Sequence, residues 1–449
     1  MKISTSVAYR IYDLKQQKKA ILFNIYSEKF MFLEGLSAEL FEKLLGDEIN
    51  GWESWLSENG LTENDVEGFK GKLCQFGCFE ENIRKDNIKA SCENQRDEKK
   101  KFNPILKNFI EELYQNGLFY NFHIDLTYRC NERCIHCYHP FDTYDFSKEM
   151  DTDKVKELVD KMYDIGVFYV VLSGGEALLR NDIFEIIEYI SDKGMLIALF
   201  TNGMLLSEDV VLKIKKYRIK LVSISLYSDI AEQHDRITTI NGSYMRTMKG
   251  IELLKKYGIP FELKCVVLTE NIGRVDQIIT YFTELSNGRA CKIDFSLCGK
   301  LDGSCEVFQY MPQEEAIRKV YYSNPERFIG KRELLKRLPE QEPCHAGKYG
   351  LYCSAEGNIY PCVSFRLFLC TFEELHNISK NKELRKWLAV KIQDFTECFK
   401  HSYCNYCTEQ CAGENLIENG DYLNSKISHC IHAKIIEEWF VENDNDKKM

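Results

Sequence analysis

Three cysteines, Cys130, Cys134 and Cys137, stand as C-x3-C-x2-C directly after the mostly apolar run Phe122-His123-Ile124-Asp125-Leu126. Soft thiolates this close together suit three irons of a [4Fe-4S] cluster. The fourth iron then has no protein ligand, and an open iron is a place where a small molecule can bind and react. His136 lies between two of the cysteines, so a four-ligand Cys3His zinc site is the alternative reading of the same spacing. A second field holds Cys344, Cys353, Cys362, Cys398, Cys404, Cys407, Cys411 and Cys430. Eight thiolates suffice for two fully ligated [4Fe-4S] clusters, or for one or two zinc-ribbon sites. The other cysteines (Cys74, Cys78, Cys92, Cys265, Cys291, Cys298, Cys305 and Cys370) lack ligand spacing and read as small buried hydrophobes.

The elements that must position these residues follow from periodicity. Strand-like Ser6–Tyr12, then Ala20–Tyr26 and Phe30–Leu33 as a hairpin turning at Ser27-Glu28-Lys29, precede three helical patterns. The first is Ala38–Leu45, with Ser37 as the expected cap; the second is Trp52–Glu58. The third carries Val66, Phe69, Leu73 and Phe76 at helical spacing. Residues 84–104 are charge-rich and read as a linker, with a bridging helix from Pro104 to Asn116. From about residue 120 to 310, strands and helices alternate. Val155, Leu158, Val159 and Met162 mark one helix. Ile183, Phe184, Ile187 and Ile190 mark another, closed by Gly194. Met245, Met248, Leu253 and Leu254 follow, then strands Phe261–Leu268 and Cys291–Leu297. Chemistry placed after strand ends in six strand-helix units predicts an α/β fold, a parallel β/α barrel.

The 449-residue chain has room for two or three domains, and its net charge of -10 argues against a nucleic-acid surface. No apolar run is long enough for a transmembrane helix, and the first residues lack the apolar core of a signal peptide. A cytoplasmic setting is expected. Nineteen cysteines there point to metal binding rather than to disulfides.

The cysteine trio at the end of a first strand resembles the signature of radical S-adenosylmethionine enzymes. Gly174-Gly175-Glu176, after Val170–Ser173, resembles that family's GGE motif, where backbone groups meet the methionyl amine. Two glycines permit a close backbone approach. Thr201-Asn202-Gly203, Ser223-Ile224-Ser225 and His234-Asp235-Arg236, followed by Gly242-Ser243, continue the resemblance. It implies that the barrel is a partial, six-unit parallel β/α barrel and that the open iron chelates S-adenosylmethionine. One electron, from a reductant such as flavodoxin or ferredoxin, then cleaves the sulfonium to methionine and a 5'-deoxyadenosyl radical. Gly174, Gly175, Glu176, Asn202, Ser225 and His136 would serve the cofactor, and Cys130, Cys134 and Cys137 the cluster. No catalytic base is named by the resemblance.

The C-terminal field resembles the SPASM extension, which holds one or two auxiliary [4Fe-4S] clusters. It departs from the usual spacing at Cys398-x5-Cys404-x2-Cys407-x3-Cys411, which leaves Cys353 and Cys398 open as ligands. The first segment resembles a winged-helix-like recognition element that takes the leader of a ribosomally made precursor peptide as an added strand. The acidic Glu63, Asp65 and Glu67 disfavour a DNA-binding winged helix. Expected domains are therefore 1–83 for leader recognition, 84–118 for the linker and bridging helix, 119–310 for the radical domain and 311–449 for auxiliary clusters. The three parts together resemble peptide maturases that close an intrapeptide bond, most often a thioether. A formylglycine-forming protein maturase and a leader-binding redox scaffold without turnover are the alternatives.

Overall fold

A computed structural model describes residues 3–46, 52–79, 104–139, 144–289, 291–300, 303–330, 338–396, 398, 400–407, 411–424 and 430–446. Most of the charge-rich linker and Cys92 lie outside the described residues.

The alternation in the first residues produces β1 (Val7–Asp13), β2 (Lys18–Asn24) and β3 (Lys29–Glu34), an antiparallel sheet in chain order. Three helices follow: α1 (Leu36–Leu45), α2 (Trp52–Glu58) and α3 (Glu63–Phe76). Ser37 is not the cap of α1. Gly35, at φ 52°, takes that place, and the Ser37 hydroxyl instead donates to the Glu34 carbonyl, bracing the turn. A cap that sequence reading passed over is the reciprocal Thr62–Asp65 box at the start of α3. Helix α4 (Pro104–Gln115) then leads into the second sheet.

That sheet begins with β4 (Asn121–Asp125). It continues through α5 (Thr152–Asp164), β5 (Tyr169–Ser173), α6 (Ile183–Asp192), β6 (Leu196–Thr201), α7 (Glu208–Lys216) and β7 (Ile219–Ser225). Next come α8 (Ala231–Thr238), α9 (Ser243–Tyr257), β8 (Phe261–Val266), α10 (Val275–Leu285) and β9 (Lys292–Asp294). Strands β4 to β9 are parallel neighbours in chain order, as right-handed strand-helix units require. Two expectations need correction. Strand β9 spans three residues instead of the longer Cys291–Leu297. In α9, Met245 is 66% exposed, and Tyr244, Thr247, Ile251 and Leu254 form the buried face.

After α11 (Glu314–Ser323) and α12 (Pro325–Phe328), the chain returns to the same sheet. Strand β10 (Gly350–Cys353) pairs in parallel with β4, and β11 (Asn358–Tyr360) and β12 (Cys370–Thr371) extend the sheet antiparallel. The segment expected as a separate C-terminal unit thus supplies three strands to a nine-stranded sheet ordered β12-β11-β10-β4-β5-β6-β7-β8-β9. Helices α13 (Lys382–Leu388), α14 (Ala412–Asn419) and α15 (Ile431–Asp446) complete the described residues.

The main core lies between the parallel strands and their helices. Residues such as Ile124, Leu158, Ile187, Val222 and Leu263 are fully buried there, each contributing about 1.5–3 kcal/mol. A separate cluster joins the first sheet to the second: Ala8, Tyr12, Ile21 and Phe23 pack with Phe109 and Leu113 of α4, Phe168 and Leu196. Polar contacts reinforce this seam. Arg10 donates to the Val167 carbonyl at 2.9 Å and to the Tyr163 carbonyl, with its guanidinium 3.9 Å from the centre of the Tyr163 ring. Arg218 reaches back to the Val7 carbonyl. Arg10→Ala is expected to cost about 1–3 kcal/mol in urea unfolding, because it takes the Arg10 donor from the buried Val167 carbonyl and removes a stacked cation, while the Tyr163 carbonyl keeps Gly166 N. A loss under 0.5 kcal/mol would show that the seam does not depend on it.

Candidate functional site

Strand β4 ends at Asp125, and the three clustered cysteines lie on the loop that follows. Backbone contacts hold that loop from both sides. Gly175 N donates to the Thr127 carbonyl at 2.7 Å, and Glu176 N to the Arg129 carbonyl at 2.8 Å. Across the loop, Arg133 N and Ile135 N donate to the Thr238 and Ile237 carbonyls at the end of α8. Arg180 donates to the Leu126 and Met150 carbonyls, and Glu149 accepts from Tyr128 N at 2.6 Å.

The two glycines have a structural role in this arrangement. A Cβ on Gly174 would stand 2.2 Å from the Thr127 carbonyl oxygen, and one on Gly175 would stand 2.4 Å from that of Arg129. The close approach they permit is to the cysteine loop itself. Glu176 is likewise spent on structure. Its buried carboxylate accepts from Thr201 Oγ1 on both oxygens at 2.9 Å, from Asn202 N at 2.8 Å and from Leu178 N at 3.0 Å. It ties the end of β5 to the end of β6. Asn202 is thereby presented to the loop: its Nδ2 donates to Asn131 Oδ1 at 2.7 Å and lies 3.9 Å from Cys130 Sγ.

Cys130 Sγ accepts from Glu132 N at 3.4 Å. Burial pushes its thiol up to about 12, and nearby acids and Cys137 add to this. Burial raises Cys134 further, with Glu132, Cys137 and Cys130 all contributing. Cys130 and Cys134, which resist ionisation beside each other, and Cys137 next to them fit a cationic centre, which would reverse that repulsion and hold the thiols as thiolates. Among the described residues, no three His, Cys, Asp or Glu side chains close around one point as ligands of a single metal ion do. Ligands of a four-iron cluster each bind a different iron and stand farther apart.

The remaining expected cofactor residues meet at Tyr227, which sequence reading gave no role. The His136 ring stands edge-on to it at 4.8 Å, Ser225 pairs with its hydroxyl, and His234 Nδ1 accepts from its backbone N–H at 3.2 Å. Burial lowers His136 to about 4, so its imidazole is neutral near pH 7. Asp235 accepts from Gly242 N, Ser243 Oγ and Tyr244 N, fixing the start of α9.

Behind the loop sits a buried polar knot. Asp125 is fully buried and accepts from the Tyr352 hydroxyl of β10 at 2.7 Å. His139 Nε2 is 3.3 Å from Asp125 Oδ2, and His123 Nε2 is 3.5 Å from Oδ1. Burial alone would raise the carboxyl, but the two imidazoles outweigh it and hold the group well below the usual carboxylate range. Asp125, His139 and Tyr352 belong to no sequence motif and emerge only from the pairing of β10 with β4.

The C-terminal cysteines separate into groups. Cys362 accepts from Phe365 N at 3.3 Å. Its thiol is pushed up to about 11 by burial, with Cys344 and Cys298 adding to the rise. Burial also raises Cys411, which has Cys362 and Glu414 as neighbours and accepts backbone N–H groups from the start of α14. Gly413 packs so tightly that a Cβ would stand 2.1 Å from the Ser364 carbonyl oxygen. Gly413, Glu414 and Asn415 lie in the first turn of α14. Cys404 and Cys407 bracket a short turn beside α15, whose first residue follows Cys430. Cys398 is half-buried against the main core.

Cys353 stands apart from these groups. It is fully buried in β10, with Cys370 as its cysteine neighbour. Cys298, which lacked ligand spacing in the sequence, joins Cys344, Cys362 and Cys411 and lies 3.1 Å from Ser364 Oγ. Cys265 and Cys291 are buried, as their apolar surroundings predicted.

The chain is similar to several known proteins. An AdoMet-dependent heme synthase of Methanosarcina barkeri is 28% identical over 335 residues, 69% of this chain and 95% of that protein. The next two relatives in similarity are matched over less than half their own length, 48% and 46%. The antilisterial bacteriocin subtilosin biosynthesis protein AlbA of Bacillus subtilis is 24% identical over 331 residues, 70% of each chain. The crystal structure of Streptococcus suis SuiB bound to precursor peptide SuiA shares the fold with a TM-score of 0.59 at 15% identity. That match covers 96% of this chain and 99% of SuiB. Residues 124–282, from the end of β4 to α10, match the Radical SAM superfamily, so this part of the chain is a radical SAM domain and the protein is an enzyme.

Proposed function

We propose that this enzyme matures a ribosomally made precursor peptide, binding its leader at the first sheet and closing an intrapeptide bond, most concretely a thioether, in its core. The observation that carries the proposal is the free outer edge of β3 on a sheet docked against the radical domain. Gly35 N donates to the Lys18 carbonyl, which sets the antiparallel phase of β2 and β3. In that phase the N–H groups of Phe30 and Phe32 point away from β2, and among the described residues no strand pairs with them. An extended peptide can add there as a fourth strand. The SuiB fold match covers too much of the chain to leave this unit out.

Cys130, Cys134 and Cys137 would hold three irons of a [4Fe-4S] cluster, which supplies the electron that cleaves S-adenosylmethionine. The chain's own residues do the rest. Glu176 fixes Asn202 beside the loop, and Gly174 and Gly175 seat the loop against β5. Neutral His136, Tyr227 and Ser225 shape the opposite wall. Cys344, Cys362 and Cys411, with Cys298, and separately Cys404, Cys407 and Cys430, would hold one or two auxiliary clusters. A leader held at β3 keeps the core at high local concentration, so the reacting site need not read much sequence.

The test is anaerobic reconstitution with S-adenosylmethionine, a reductant and a small cysteine-rich peptide encoded beside the gene, followed by mass spectrometry. Deoxyadenosine release with a peptide loss of two hydrogens is expected. Amide exchange at Phe30 and Phe32 should slow severalfold on peptide binding, and unchanged exchange would refute docking at this edge. Deleting the first eighty residues is a poor substitute, because Tyr12, Ile21 and Phe23 are part of a shared core. The heme synthase likeness favours a second reading, a tetrapyrrole substrate, to which deoxyadenosine release with an unchanged peptide would point.

A further inference from the structure

Arg366 follows Cys362 by four residues, on the segment between β11 and β12. Its guanidinium lies 5.3 Å from the ring centre of Tyr138, the residue after Cys137, and 5.6 Å from that of Tyr352. It therefore sits between the cysteine loop and the Cys344–Cys362–Cys411 group, with Cys298 within its electrostatic reach. Its Nε and Nη2 are buried and have no hydrogen-bond partner. No carboxylate of a described residue pairs with it. Asp125, the nearby acid, has Tyr352 and His139 on Oδ2 and faces His123 Nε2 at 3.5 Å with Oδ1.

A buried cation left without a partner is costly, so an empty fork of this kind calls for an occupant. Which two donors are empty matters. Nε–H and Nη2–H run parallel along one edge of the guanidinium, at the spacing of the two oxygens of a carboxylate. The tyrosine rings hold that edge in place and are themselves neutral.

We infer that the Nε/Nη2 edge of Arg366 holds a carboxylate in the reacting chamber. Two sources share this chemistry: an acidic side chain or free C-terminus of the substrate peptide, and the methionyl carboxylate of S-adenosylmethionine. The peptide source rests on the proposed maturase reading; the cofactor source does not.

The test uses the full-length reconstituted protein as wild type, Arg366→Gln and Arg366→Lys. One arm measures equilibrium binding of S-adenosylmethionine. The other retains peptides from a randomised heptapeptide library made with both free and amidated C-termini. Either wild-type enrichment of Asp and Glu over Asn and Gln, or of free over amidated ends, is expected to fall about tenfold or more in Arg366→Gln. Lysine, which keeps the charge without the fork, should restore only part. A tenfold drop in S-adenosylmethionine affinity with unchanged peptide choice would assign the carboxylate to the cofactor. If neither arm changes, the inference is overturned. This holds even if the auxiliary-cluster potential shifts, which would make Arg366 a charge balance for the cluster alone. If wild type shows no peptide preference at all, the maturase reading loses its support and the cofactor arm alone decides Arg366. Should Arg366→Gln fail to fold, the lysine variant carries both arms.

Discussion

Replacing Cys130, Cys134 and Cys137 together with alanine is expected to reduce 5'-deoxyadenosine formation to background while leaving iron bound at the C-terminal field. The separation follows from the structure. The trio sits on one loop after β4, whereas Cys344 precedes β10, Cys362 follows β11 and Cys411 caps the start of α14. The loop backbone is fixed by contacts from Gly175, Glu176 and Arg180, none of which uses a thiol. The variant should therefore fold, and its remaining iron should show the spectra of ligated clusters. Retained cleavage of S-adenosylmethionine would reject the trio as the reacting site. Loss of all iron would mean that the two fields are assembled as one.

Gly174→Ala should be nearly as damaging, for a different reason. The residue has φ 127°, outside the range side-chain-bearing residues accept, and its new Cβ would meet the Thr127 carbonyl oxygen at 2.2 Å. Both partners are backbone, so neither can swing aside. Strain and overpacking together predict a loss of about 2–6 kcal/mol in anaerobic urea unfolding. The bond from Gly175 N to Thr127 should break, and iron at the trio should be lost with it. Gly68→Ala is the control. It sits within α3 with nothing within 4 Å of a built Cβ, so it should be neutral or stabilising by up to about 1 kcal/mol. A neutral Gly174→Ala would show that the loop does not depend on this contact.

The sequence reveals most where chemistry and local geometry coincide. The cysteine spacing, the glycine pair and the strand-helix alternation all repeat over short distances, and the parallel strands appear in chain order as their pattern predicts. It is incomplete where a residue type has two uses. Glu176 reads as a cofactor contact, and the structure adds a use for its carboxylate, which accepts from Thr201, Asn202 and Leu178. Cys353, left open as a ligand, lies fully buried in β10. Ser37 reads as a cap because serine favours that position, but Gly35 can adopt the left-handed backbone that the tight entry from β3 needs. It is silent where contacts are long-range. Cys298, Arg366 and the Asp125 knot take their meaning from segments brought together only by the return of the chain to β4.

That return also orders events in time. The bond from Tyr352 to Asp125 joins residues 227 apart, and β4 has no partner on that side until β10 arrives. On a ribosome, the strand that ends at the cysteine loop is made long before its neighbour, and a newly made parallel edge is prone to pair with the wrong chain. Closing so long a loop is slow. Completion of the sheet is thus a late step in the life of each molecule, and a chain halted before residue 350 would present its cysteine loop on an open, adhesive edge.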